Sequence, residues 1–131
     1  MLTPIIINLT QHAPSPEQIK AGVTDLRKDA RAELITLLTF DEIPSKEEMA
    51  RRAERIAVLA LDEFYSYGLD VTSKGMIGGA PFFMSALETA LRKKGIGPVY
   101  AFSVRESVEV TGPDGSVTKT AVFRHKGFVE V

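Results

Sequence analysis

The chain has 131 residues, enough for one domain with a real core, and carries 16 Lys and Arg against 17 Asp and Glu. The resulting formal charge of -1 argues against a dedicated duplex-DNA binder, which needs a marked basic excess. Cysteine is absent, which excludes disulfides, thiolate metal sites and a cysteine nucleophile.

Pro4-Ile5-Ile6-Ile7-Asn8 predicts a short strand buried on both faces, because its β-branched residues run without alternation. The run is too short for a signal peptide or a membrane span. A cytoplasmic protein with no membrane partner is therefore expected, and Asn8-Leu9-Thr10 is not read as a glycosylation site. Ser15-Pro16-Glu17-Gln18 is a capping box and opens a short helix that stops near Gly22. Asp25 is placed to cap a second helix over Leu26 to Thr39, with Leu26, Ala30, Leu34, Leu37 and Leu38 at helical spacing.

Pro44 breaks the chain, and Ser45-Lys46-Glu47-Glu48, a second capping box, starts a long helix to about Tyr67. Its stripe is Met49, Ala53, Ile56, Ala57, Ala60 and Phe64, and Gly68 ends it. Met76-Ile77 forms the heart of a very short strand. Pro81 starts a helix to about Lys94, with Met84, Leu87 and Leu91 inward. Pro98 to Val104 is a second continuously apolar run and predicts a central strand. Alternation about Gly112-Pro113-Asp114-Gly115 predicts a β-hairpin, and Gly127 to Val131 a last edge strand.

Strands alternating with helices imply parallel pairing. The expected architecture over residues 1–131 is a three-layer, Rossmann-like α/β domain: a short, mainly parallel sheet, helices on both faces, and a C-terminal antiparallel hairpin. Three helices are expected between the first two strands. Ligands bind such sheets outside the carboxyl ends of the parallel strands, near a switch in strand order. That rule gathers Asn8 to His12, Gly78 to Pro81, and Ser103 to Glu106.

Each stretch has chemistry and a plainer alternative. At Gly78-Gly79 a strand meets a helix, so backbone amides can approach an anion; equally, the pair is a turn where only glycine fits. His12, beside Asn8, Thr10 and Gln11, can serve as acid or base or donate to a phosphate; alternatively Asn8 and Thr10 satisfy the loop and His12 faces solvent. Arg105, near Ser103, has a planar fork for phosphate or carboxylate, or pairs with Glu106. His125, between Arg124 and Lys126, reads as a solvated strand end. The candidate catalytic residues are His12, Ser103 and Arg105, and the candidate ligand-binding residues are Asn8, Thr10, Gly78 and Gly79. The acids Glu47, Glu48, Glu54, Asp62 and Glu63 read as solvated helix faces, the two histidines lie far apart, and no metal or cofactor is expected.

Ile6-Ile7-Asn8-Leu9-Thr10-Gln11-His12, followed by Ser15-Pro16-Glu17-Gln18, resembles the openings of small CARF-like CRISPR-associated proteins, some of them ring nucleases that degrade cyclic oligoadenylates. With Met76-Ile77-Gly78-Gly79-Ala80-Pro81 and Ala101-Phe102-Ser103-Val104-Arg105-Glu106, the chain is also similar to a set of bacterial and phage proteins without an assigned activity. The first resemblance implies metal-independent phosphodiester cleavage. A ribose 2′-hydroxyl attacks phosphorus, with Asn8, Thr10, His12, the Gly78-Gly79 amides, Ser103 and Arg105 as the matching residues. A two-fold ligand further implies a symmetric homodimer.

Three functional classes follow: a protein for a small anionic or nucleotide ligand, a non-catalytic interaction module from a phage or mobile element, and an enzyme acting on a small carboxylate.

Overall fold

The computed structural model of the protein describes residues 3–68 and 71–131. Ile5, Ile6 and Ile7 run uninterrupted because β1 (Thr3–Asn8) lies between two parallel neighbours, β2 (Val23–Asp25) and β3 (Val71–Met76). In turn, β3 pairs in parallel with the start of β4 (Gly97–Thr111), and β4 pairs antiparallel with β5 (Val117–Glu130). The strand order is β2-β1-β3-β4-β5. From β1 the chain steps one way to β2, then crosses β1 to reach β3. The switch in strand order therefore lies between β1 and β3.

Right-handed crossovers in opposite directions put helices on opposite faces. α1 (Pro16–Lys20) joins β1 to β2. On the other face lie α2 (Lys28–Leu37), α3 (Lys46–Tyr65) and α4 (Pro81–Lys93). Alternate strand residues divide accordingly. Ile7, Leu9, Ile77 and Ile96 join Leu34, Ile56, Phe83 and Leu87 in the main core, whereas Ile6, Val23, Met76 and Val99 form a small second core against Phe128. No residue of α1 is buried, so the second face is thinly covered.

The helix stripes sit as their spacing predicts: Ala53, Ile56, Ala57, Ala60 and Phe64 of α3, and Met84, Leu87 and Leu91 of α4, are buried. The first capping box forms, with Ser15 Oγ accepting from Gln18 N at 3.1 Å and Gln18 Oε1 from Ser15 N at 3.0 Å, whereas at the second only the Ser45 half is made, its Oγ accepting from Glu48 N at 3.0 Å. The hairpin turn is also as expected. Gly115 has φ +82°, and Asp114 Oδ1 accepts from the amide and hydroxyl of Ser116.

Several expectations are corrected. Val23–Asp25 is a strand, so one helix rather than three separates the first two strands. The second helix starts at Lys28, and Asp25 ends β2 instead of capping it. Met76-Ile77 is not the heart of its strand but its end, and the Pro98–Val104 strand continues to Thr111. The Gly127–Val131 tail continues β5 and is no separate strand. Glu63 is 8% exposed, and its carboxylate accepts from the Arg27 amide at 2.9 Å and pairs with the Arg27 guanidinium. Of the acids read as a solvated face, this one instead anchors the start of α2. Among the described residues, no helix is long and apolar enough to cross a membrane.

Candidate functional site

The loop after β1 is built on Asn8. This side chain is fully buried, and all of its hydrogen-bonding capacity is spent inside the protein. Nδ2 donates to His12 O at 2.8 Å and to Asp25 Oδ1 at 2.9 Å, while Oδ1 accepts from Thr10 N at 3.0 Å and Thr10 Oγ1 at 2.7 Å. Arg31 of α2 braces the same loop, donating to Thr10 O at 3.2 Å and His12 O at 3.1 Å and pairing with Asp25 at 3.4 Å. Buried amides and carboxylates must be paired in this way, and the paired network makes the loop one unit. Asn8 is thus the loop's organiser, and the His12 side chain is left facing outward and exposed.

At the neighbouring strand end, Ile77 N donates to Val99 O at 2.9 Å, and the chain then turns through Gly78 and Gly79 into α4. The two glycines differ. Gly79 has φ +137°, a conformation that L side chains rarely adopt, so the turn itself requires glycine there. At Gly78 a Cβ would meet Thr10 Cγ2 at 3.6 Å, an ordinary contact. Ala80 caps α4 without a side-chain hydrogen bond, and Pro81 follows at the first helical position.

The third wall comes from the β4–β5 pair, which carries a β-bulge beside the site. Phe102 pairs with Gly127, but Ser103 pairs with His125, so β5 carries one extra residue. Residues directly opposite each other in an antiparallel pair share a face. The register set at the hairpin runs unbroken from Thr111–Val117 to Ser103–His125, so His125 shares the face of Ser103, and the bulge follows, with Gly127 at φ +144°.

Together these elements enclose a cleft of about 550 Å³ at the switch between β1 and β3. Thr10, His12, Gly78, Gly79 and Ser103 line it, as do Ser15, Glu17 and Gln18 of the α1 start, and Phe123 and His125 of β5. Its size and place are those of ligand sites in α/β proteins. Two predicted residues stand apart from the lining. Asn8 lies behind it, and Arg105 sits on the Ser103 face, opposite Phe123 and one rung further along the ribbon. Arg105 makes no hydrogen bond or ion pair among the described residues, and Glu106 pairs with Arg124 at 3.3 Å instead.

His125 was expected as a solvated strand end. It is half-buried, lines the cleft, and packs edge-to-face on Phe128 with ring centroids 4.9 Å apart. Its Nδ1 is buried without a hydrogen-bond partner among the described residues. The sequence signal that masked this position is the basic cluster Arg124-His125-Lys126, and Ser103, the strand partner that places it, lies far away along the chain. Asp25 and Arg31 were missed as loop supports because their partners lie 17 to 21 residues away in sequence. Among the described residues, no three His, Cys, Asp or Glu side chains cluster so as to hold a metal ion.

Fold and cleft define an α/β protein with a mainly parallel five-stranded sheet, a C-terminal antiparallel strand pair and a pocket at the strand-order switch. The chain belongs to the Uncharacterized protein MJ1673 family, whose model matches residues 4–129. Neither the curated proteins nor the solved structures offer a significant match to it.

Proposed function

We propose that the protein is a cytoplasmic binder of a nucleotide or related phosphate ligand and a metal-independent phosphodiesterase of the ring-nuclease type. The observation that carries this reading is the convergence of His12, Ser103 and the Gly78-Gly79 turn on one cleft, from three separate parts of the chain. The cleft suits both parts of a nucleotide. Phe123 is 72% exposed on its wall and offers a ring face for a base to stack on. The Ser103 hydroxyl and the amides of the turn offer donors for phosphate oxygens.

In this mechanism, the rigid Asn8-centred loop presents the His12 imidazole, which takes the proton of a ribose 2′-hydroxyl. The 2′-oxygen forms a bond to phosphorus as the bond to the 5′-oxygen breaks. The departing 5′-oxygen takes a proton from water, and a 2′,3′-cyclic phosphate remains. Ser103 and the turn amides stabilise the charge that grows on the non-bridging oxygens. Arg105, one rung along the ribbon, meets the next phosphate of a longer ligand.

The test is incubation with cyclic oligoadenylates and with linear dinucleotides in the presence of a chelator, followed by separation of the products. Cleavage to cyclic-phosphate ends that is lost in His12→Ala supports the catalytic reading, and binding without turnover supports the ligand reading alone. Neither binding nor cleavage would overturn both. The working surface would then be sought in the apolar groove formed by Phe40, Ile43, Pro44, Met49 and Phe82, where Ile43 is 99% exposed. Such a groove fits the interaction-module alternative.

A further inference from the structure

We propose that His125 contacts the ligand as a tautomer-fixed hydrogen-bond donor, presenting Nε2–H to an anionic oxygen in the cleft. The ligand class rests on the nucleotide reading above; the tautomer rests on the structure of the strand pair.

Three observations carry the inference. First, the hairpin register sets His125 on the cleft face beside Ser103, its partner across the strands. Second, Nδ1 is buried and has no partner among the described residues, being shut in on a ring that packs against Phe128. Third, Nε2 makes no hydrogen bond among the described residues and is not among the buried unpartnered atoms, so it is the ring nitrogen open to the cleft.

The proton's position follows. A neutral imidazole carries one N–H and one bare nitrogen. Protonation at Nδ1 would bury a donor with no acceptor, the rarer and costlier kind of unmet group. With the proton on Nε2, only a lone pair is left unmet inside, and the donor points where a ligand oxygen can take it. His125 in this tautomer has no lone pair to offer the cleft. It therefore cannot be the base in the proposed cleavage, which leaves that role to His12. Its part is to bind and place a non-bridging oxygen next to Ser103.

Two measurements on the whole chain test this. Long-range proton–nitrogen correlation spectra of ¹⁵N-labelled protein report which ring nitrogen carries the proton. Protonated Nε2 with bare Nδ1 is expected for His125, and the reverse pattern would overturn the inference whatever ligand binds. The second is titration with adenylyl-adenosine dinucleotide, with AMP and inorganic phosphate alongside. His125→Ala should weaken dinucleotide binding roughly ten- to a hundred-fold, as loss of a hydrogen bond to a charged group does. His125→Gln, whose amide donor has a similar reach, should restore most of it. Wild-type binding that His125→Ala leaves unchanged would sink the contact role while sparing the cleft. Failure of the wild-type protein to bind any of the probes would overturn the nucleotide reading and this ligand class with it, leaving the tautomer to the spectra.

Discussion

His125 and Phe128 lie three residues apart on one strand yet share a face, with ring centroids 4.9 Å apart. In a regular strand an odd separation puts two side chains on opposite faces. The extra residue of the bulge restores them to one side, and Gly127 at φ +144° accommodates it. Gly127→Ala should therefore cost about 1–3 kcal/mol, the usual penalty for an L residue held in such a conformation. Urea denaturation measures the loss. The contact between the two rings, read by nuclear Overhauser effects, should weaken in the same variant.

The Asn8 network predicts a second outcome. Asn8→Ala leaves the Thr10 amide without its partner and takes one of the partners from Asp25 Oδ1, His12 O and the Thr10 hydroxyl, at a position that is itself fully buried. Leaving such groups unpaired costs roughly 1–3 kcal/mol. The midpoint of unfolding should fall accordingly. Amide exchange should rise specifically over residues 9–13, and a uniform rise across the protein would contradict the organising role assigned to Asn8.

The glycines of β3 and the following turn should separate clearly. A Cβ at Gly75 would sit 2.8 Å from Leu9 Cδ1, and Leu9 is fully buried, so the clash must be relieved inside the core. Overpacking of this kind costs about 1–3 kcal/mol. Gly78→Ala has ordinary room and no positive φ, so its stability should stay within about 0.5 kcal/mol of wild type. Comparable losses at both positions would refute the steric distinction.

Tyr100 predicts a pH dependence. Burial, and then its hydrogen bond to Glu88 Oε2 at 2.6 Å, push its hydroxyl up to about 12 from the usual 10. The folded value lies above the unfolded one, so this stabilisation is whole below pH 10 and is lost as pH rises from 10 towards 12. Ultraviolet titration should show one tyrosine ionising late, and Tyr100→Phe should remove that step.

Arg105 is exposed and forms no ion pair among the described residues, so Arg105→Ala should leave stability within about 0.5 kcal/mol. Calorimetric titration should show weaker binding of a trinucleotide, whose second phosphate reaches the second rung, with adenylyl-adenosine binding unchanged. A loss of folding would instead assign Arg105 a structural role.

Much of the fold is local physics and is readable along the chain. The β-branched run of β1, the Ser15 and Ser45 helix starts, the stripes of α3 and α4, and the Pro113-Asp114-Gly115 turn each state their structure within a few residues. Because that succession is strand-helix-strand, the sequence also pointed to the carboxyl ends of the strands as the place for a site. Only the tertiary structure could decide the rest. Val23–Asp25 is too short to carry a period, and it is a strand because β1 lies beside it. Glu63 reads as a surface acid until the Arg27 amide is brought to it across 36 residues. His125 reads as solvated because it stands in a basic cluster, and its place on the cleft wall exists only in the pairing of β4 with β5 and the bulge that brings Phe128 onto the same face. Periodicity records what a residue's near neighbours require; partners distant in sequence and shifts of register leave no local trace.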